Sequence, residues 1–173
     1  MTNKFEAYKK QLAEFVKLQS VSTDPKFRTE ITRTVAWLKK KLEKAEFEVE
    51  IWPGKTTNPV VFASYHVSDD LDTVMIYGHY DVQPAAKMDG WKNEPFDLIQ
   101  AKNKLFGRGV VDNKGQILAH VFTASELIKE VKLGQNLKFR IEGNEETGND
   151  DLRDVLRRNK SKLACDILVV SDG

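Results

Sequence analysis

Histidine and carboxylate side chains occur in four short segments of this sequence, and each segment follows an apolar run. The residues are His79, Asp112, the pair Glu145 and Glu146, and Asp172. One imidazole and several carboxylates are ligands that suit a divalent ion such as zinc, manganese or cobalt. Because open α/β sheets bind ligands at the carboxyl ends of their strands, this layout predicts a metal site at one edge of a sheet.

The histidine of this set is followed two residues later by an aspartate. If the strand stays extended there, His79 and Asp81 point to the same face. A metal-binding imidazole commonly donates its other N–H to a carboxylate, which fixes the tautomer of the ring. We therefore predict that His79 binds a metal ion and that Asp81 orients the ring. The alternative for this segment alone is an exposed turn with an incidental histidine.

A glycine-rich segment surrounds Asp112. Gly107 and Gly109 precede it, which indicates a turn with positive φ or a close approach of the backbone. A carboxylate at such a turn can give one oxygen to each of two ions about 3.5–4 Å apart. A dinucleotide-binding turn is excluded, because Asp112 stands where that motif needs its third glycine.

Two adjacent glutamates, Glu145 and Glu146, lie in a glycine-flanked loop. Neighbouring side chains diverge on an extended backbone, so one carboxylate can bind a metal while the other faces a bound water. A bound ion lowers the pKa of its water toward about 7, and the free carboxylate can then pass the proton to the leaving group. A solvated acidic turn is the alternative here. Asp172, after the last apolar run, could complete the ligand shell of a second ion.

The remaining histidines and the single cysteine are predicted to be structural. His66 lies on a predicted strand away from the glycine-rich segments, and His120 lies inside a helical pattern. Cys165 borders an apolar run, which indicates a small buried hydrophobic residue. A single cysteine excludes an internal disulfide and a cysteine-based zinc cluster.

The elements that must position these residues alternate between strands and helices. Apolar spacing predicts helices over 3–19, 31–42, 113–131 and 150–160, strands over 47–52, 60–67, 73–77, 137–141 and 166–170, and a hairpin of 97–100 with 104–106. The run 73–77 is apolar throughout, which predicts burial on both faces. This alternation predicts an α/β fold, a three-layer arrangement of one sheet with helices on both faces.

Composition and charge exclude several classes of function. Hydrophobic residues make up 40% and charged residues 31%, and the net charge is +1. Such a balance gives no pull toward nucleic acid or anionic membranes, and lysine and arginine are spread rather than clustered. No apolar stretch has the length of a membrane span, and residues 1–10 lack the apolar region of a secretory signal. We therefore predict a cytoplasmic protein without nucleic-acid or membrane partners.

Four motifs in this order and spacing resemble the M20 metallopeptidases, and among them the carnosinase-like dipeptidases. The motifs are YGHYDVQP at 77–84, DGW with PF within 89–96, LFGRGVVDNKG at 105–115 and EGNEETG at 142–148. The resemblance implies a zinc-peptidase-like catalytic domain. It also implies a hydrolase that uses water bound by two divalent ions, zinc first and manganese or cobalt as alternatives, to cleave the amide bond of a dipeptide or N-acyl amino acid.

The resemblance also implies a role for each site residue. Carried over by motif, His79 binds one metal, Asp112 bridges both, Glu146 and Asp172 bind one each, Glu145 is the general base and Asp81 supports His79. The peptide bond between Asp112 and Asn113 is expected to be cis.

The family pattern further predicts that residues 1–173 are the N-terminal portion of a truncated catalytic domain. We expect this portion to lack the family's lid and dimerisation domain. We also expect it to lack the later part of the catalytic domain, which carries one more metal-binding histidine. The full-length form is expected to be a homodimer. A second function stays open, which is a non-catalytic metal-binding fragment or a module that needs a complementing chain. An uncovered sheet edge then predicts self-association or low stability.

Overall fold

A computed structural model of the chain describes residues 4–172. Residue 3, the predicted start of the first helix, and the two ends of the predicted 1–173 domain lie outside the described residues. The helices are α1 (Lys4–Lys17), α2 (Arg28–Lys44), α3 (Lys114–Lys129) and α4 (Leu152–Arg158). The strands are β1 (Glu48–Trp52), β2 (Val60–Tyr65), β3 (Thr73–His79), β4 (Ile99–Ala101), β5 (Lys104–Phe106), β6 (Asn136–Glu142) and β7 (Ile167–Val170).

Five of the strands form one mixed sheet in the order β1-β2-β6-β3-β7. The β1–β2 and β2–β6 pairs are antiparallel, whereas β3 is parallel to both of its neighbours, β6 and β7. The carboxyl ends of β6, β3 and β7 therefore meet at the same edge. The short strands β4 and β5 form a separate antiparallel hairpin.

Helices cover both faces of the main sheet. On one face α1, α2 and α3 pack with the sheet around buried residues such as Phe15, Leu38, Ile117 and Phe139. On the other face α4 packs on a smaller cluster of Trp52, Val60, Phe62, Met75 and Val155. Val74 and Ile76 of β3 belong to the first cluster and Met75 to the second, which explains the unbroken apolar run of this strand. The predicted three-layer α/β fold is confirmed.

A buried lysine joins α3 to the end of α1. The Nζ of Lys114 donates to the backbone oxygens of Phe15 (3.0 Å) and Leu18, and lies 5.0 Å from the centre of the Phe15 ring. The carbonyls at the end of a helix have no partner within the helix, so a cationic donor there is favourable. Burial lowers the pKa of Lys114 to about 7, against the opposing charges of Asp81 and Glu30.

Two details differ from the sequence predictions. The strand predicted over 60–67 ends at Tyr65, because the backbone N–H groups of Val67 and Ser68 donate to the side chain of Asn136. His66 therefore lies beyond β2, with its side chain 63% exposed. Cys165 is only partly buried, at the margin of the cluster on which α4 packs.

None of the helices within residues 4–172 combines the length and the apolar character needed to cross a bilayer.

Candidate metal centre

Three parallel strands deliver most of the predicted site residues to one edge of the sheet. His79 is the last residue of β3, Glu145 and Glu146 begin a short 3₁₀ turn after β6, and Asp172 lies two residues beyond β7. Because β6, β3 and β7 are neighbours, their ends place these side chains close together. The glutamates lie in a turn rather than on the extended backbone that was expected.

Asp112 reaches the site by a different route from the one predicted. It does not follow a strand of the main sheet but lies six residues beyond β5 and two residues before the start of α3. The segment folds back through Gly109, whose φ is +82°, and a Cβ on Gly115 would lie 1.9 Å from the backbone oxygen of Val110. The peptide bond between Asp112 and Asn113 is cis, as expected.

The imidazole of His79 is buried, and three carboxylates surround its Nε2. That nitrogen lies 2.9 Å from Asp112 Oδ1, 3.5 Å from Asp172 Oδ1 and 4.0 Å from Glu145 Oε2. A tetrahedral ion with bonds of about 2.0–2.1 Å places neighbouring ligand atoms about 3.3 Å apart. The separations of His79 from Asp112 and Asp172 bracket that value, so this donor set fits a divalent ion.

Among the described residues, two groups of three have ligand atoms that all lie within 4.8 Å of one another. The first is His79, Asp112 and Asp172, and the second is His79, Glu145 and Glu146. The Nε2 lone pair can bind only one ion. A second ion would therefore rely on the carboxylates.

The carboxylate of Asp81 organises the buried side of the site. It is fully buried, and its Oδ1 lies 3.3 Å from Nδ1 of His79, which is also 3.0 Å from the backbone oxygen of Asp81. The same carboxylate accepts hydrogen bonds from the backbone N–H groups of Glu145 (3.2 Å) and Glu146 (3.1 Å). Asp81 therefore holds both the imidazole ring and the turn that carries the two glutamates.

Negative charge dominates the electrostatics of this edge. Burial by itself lowers the pKa of His79, but the hydrogen bond and charge of Asp81 and the charges of Asp112 and Asp172 outweigh it and raise the pKa to about 9. For Glu145, burial raises the pKa of the carboxyl group. Neighbouring carboxylates raise this pKa further, and the charge of His79 lowers it. The shift of His79, and the smaller part of the shift of Glu145 that its acidic neighbours cause, reflect a concentration of negative charge that a divalent cation would neutralise.

One further acidic side chain near the site is already occupied by hydrogen bonds. Glu142 is buried, and its two oxygens accept from the hydroxyl of Tyr77 (2.8 Å) and from the amide of Asn149 (2.9 Å). Burial and the Glu142 carboxylate both raise the pKa of Tyr77, so the phenol stays protonated as a donor. Glu142 is therefore structural.

Two amide side chains at the site were not predicted as functional from the sequence. Gln83 donates to Glu146 Oε2 (2.8 Å), and Asn113 contacts both His79 and Asp172. Both stand within the quoted motifs, one or two residues after an aspartate, and that spacing is the signal by which they could have been found. His120 contacts Ser171, the neighbour of Asp172, with its Nε2 2.9 Å from the hydroxyl, and it belongs to neither candidate ligand group.

Comparison with known proteins places this geometry in a family. The chain is 34% identical to human Beta-Ala-His dipeptidase over 94% of its length and 32% identical to Cys-Gly metallodipeptidase dug1 of Schizosaccharomyces pombe, also over 94%. Its fold superposes on the crystal structure of human carnosine dipeptidase 1 with a TM-score of 0.91 over 97% of the chain, at 32% identity.

The chain spans 35% and 37% of the length of these two relatives and 38% of the human crystal structure. The family model described as peptidase family M20/M25/M40 matches residues 75–173, which include all six predicted site residues and more than half of the chain. The resemblance seen in the sequence is thereby confirmed, and the chain belongs to peptidase family M20/M25/M40.

Proposed function

We propose that this chain carries most of the metal-binding and proton-transfer residues of a metal-dependent dipeptidase or aminoacyl amidohydrolase. The observation that carries the proposal is the environment of the buried His79. One ring nitrogen is held by Asp81, and the other faces the oxygens of Asp112 and Asp172 at 2.9 and 3.5 Å. A histidine oriented by a carboxylate on one side, with carboxylates around its free nitrogen, is the usual surrounding of a protein-bound divalent ion.

His79, Asp112 and Asp172 would hold one ion, while Glu146 and the second oxygen of Asp112 would hold another. Zinc is the proposed metal, with manganese or cobalt as alternatives, since all three accept nitrogen and carboxylate ligands. When bound, the ions polarise the carbonyl of the scissile amide and make the attacking water more acidic.

Glu145 is the proposed general base. Its carboxylate lies 4.0 Å from His79 Nε2, and its side chain is 39% exposed, so a substrate and a water can reach it. A carboxylate that does not itself bind an ion stays free to accept a proton. It would take a proton from the attacking water and deliver it to the amine that leaves.

Dipeptides are the proposed substrates, because the relatives include a Beta-Ala-His dipeptidase and Cys-Gly metallodipeptidases. N-acyl amino acids share the amide bond and the free carboxylate of a dipeptide and form the wider proposed class. A homodimeric full-length form and a cytoplasmic location are part of the same proposal.

Hydrolysis of β-alanyl-histidine and of cysteinylglycine tests the function. Two proteins are assayed, the product of the full open reading frame and residues 1–173, each with Zn²⁺, Mn²⁺ or Co²⁺ added. We expect Glu145→Gln to lower kcat by about 10²–10⁴-fold, the usual contribution of a general base. Glu48→Gln, at an exposed position of β1, is the matched control and should retain full activity. Unchanged turnover by Glu145→Gln would contradict the assignment, and tight metal binding without turnover would favour the non-catalytic module.

A further inference from the structure

The hydrogen-bond ladder between β3 and β7 stops beside the candidate metal ligands His79 and Asp172. Its last bond joins the N–H of Ser171 to the oxygen of Tyr77 at 3.3 Å. In a regular parallel ladder the next bond would join the N–H of His79 to the oxygen of Ser171. A side-chain amide takes the place of that bond. Asn113 Oδ1 accepts from the N–H of His79 (3.2 Å), and Asn113 Nδ2 donates to the oxygen of Ser171 (2.6 Å).

Space for this amide exists because β3 carries a glycine next to His79. A Cβ on Gly78 would lie 2.4 Å from Asn113 Oδ1, which is closer than a Cβ atom approaches a non-bonded heavy atom in real structures. Asn113 is itself completely buried. The amide is therefore inserted between two strand ends at a position where neither solvent nor a larger neighbour can replace it.

Asn113 does not perform the task usual for asparagine at its position. It is the residue before the first turn of α3, yet its side chain makes no capping hydrogen bond to the helix. An asparagine there commonly accepts from a backbone N–H of the first turn. Here the amide points to the strands, and Nδ2 also lies 3.2 Å from Asp172 Oδ1.

We propose that Asn113 is a positioning residue that sets the separation between His79 and Asp172 and fixes Asp112 beside them. Its side chain contacts the backbone of His79 and the carboxylate of Asp172, and its backbone is bonded to Asp112, so one residue joins all three members of the first ligand group. The inference rests on the proposed function, since it gives these residues a shared metal. Side chains that orient ligands commonly change metal affinity by 10–100-fold when they are removed.

Co²⁺ titration followed by visible absorption tests the proposal, because the absorption bands report the geometry of the ligands as well as the affinity. We expect Asn113→Ala to weaken Co²⁺ binding by about 10–100-fold and to change the spectrum. The matched control is Asn136→Ala, which removes a buried amide with four hydrogen bonds at the opposite end of β6. It should lower the melting temperature but leave Co²⁺ affinity and spectrum unchanged. Wild-type affinity and spectrum in Asn113→Ala would overturn the proposal.

Two further measurements separate this inference from the proposed function. Asn113→Ser is the second variant, because its hydroxyl keeps a polar group at this buried position but lacks the reach of the amide; an intermediate affinity is expected and full wild-type affinity would count against the role. A crystal structure of the metal-free variant should show the distance from His79 Nε2 to Asp172 Oδ1 displaced from 3.5 Å by more than about 0.5 Å, the tolerance of a functional site. If the wild-type chain binds no Co²⁺, the metal proposal fails, while this distance still decides the role of Asn113.

Discussion

At the scale of single residues, three carboxylates of the site are held by specific donors. Asp81 accepts two backbone N–H groups, and Asp172 and Glu146 each accept a side-chain amide, from Asn113 and Gln83. A carboxylate held in this way keeps one orientation, so less freedom is lost when it binds an ion. The amides are therefore as much a part of the site as the acids.

Gln83 offers a direct test of this view. Its Nε2 donates to Glu146 Oε2 at 2.8 Å and lies 3.3 Å from the backbone oxygen of the same residue. We expect Gln83→Ala to weaken the binding of the second metal ion by about tenfold, because the Glu146 carboxylate loses its fixed orientation. Isothermal titration with Zn²⁺ measures the effect, and the exposed Gln135→Ala is the control. Two unchanged binding steps would show that Gln83 does not orient Glu146.

At the scale of elements, the close approach of β3 and α3 depends on a missing side chain. A Cβ on Gly78 would lie 2.1 Å from the Cδ1 of Ile117 and 2.4 Å from the amide oxygen of Asn113. We expect Gly78→Ala to destabilise the fold by about 1–3 kcal/mol, the usual effect of overpacking a core. Urea unfolding measures the difference. Gly134→Ala, where a Cβ would meet nothing within 4 Å, should leave stability unchanged or slightly raised.

The contact between α3 and the end of β7 predicts a dependence of stability on pH. Burial lowers the pKa of His120 below its usual 6.5, so the unfolded chain takes up a proton at a higher pH than the folded chain. The contribution of His120 to stability is therefore complete above pH 6.5 and is lost as the pH falls through the lowered pKa.

We expect His120→Gln to lose stability less steeply than the wild type below pH 6.5. Glutamine can keep the hydrogen bond to Ser171, which lies 2.9 Å from His120 Nε2, but cannot take up a proton. Urea unfolding across this pH range, with a chelator present, measures the slopes. His66→Gln changes a histidine whose side chain is 63% exposed and serves as the control. Parallel slopes for the wild type and His120→Gln would remove the buried-histidine explanation.

Regular elements could be predicted from the sequence, whereas the connections between them could not. The strands of the main sheet and the four helices follow from apolar spacing, which is a local property of the chain. The route of Asp112 depends on the positive φ of Gly109 and on the packing of its loop against α3, which are settled only in the folded chain. The roles of Gln83 and Asn113 depend on partners more than 30 residues away in the chain. The residue roles and the limits of the 1–173 domain stay predictions.

At the scale of the whole molecule, the two edges of the main sheet differ in how they are protected. At one edge β1 carries Glu48 and Glu50, and charged residues on an edge strand oppose pairing with another chain. At the other edge β7 pairs, within residues 4–172, only with β3, and it carries apolar residues that are 48% (Ile167), 54% (Leu168) and 62% (Val170) exposed. An apolar edge strand is a template for pairing with a further strand.

The β7 edge therefore predicts self-association of residues 1–173 through a second copy of the same strand. We expect the mass measured by analytical ultracentrifugation to rise with protein concentration, and Leu168→Lys to return the chain to monomer, because a charge on the edge strand disfavours strand pairing. Met88→Lys is the matched control, since Met88 is 90% exposed but lies in a short 3₁₀ turn that is not part of the main sheet, and it should associate like the wild type. If the wild type is a monomer at every concentration, the exposed edge does not pair. If Leu168→Lys and Met88→Lys lose association equally, the association is due to general surface hydrophobicity rather than to β7.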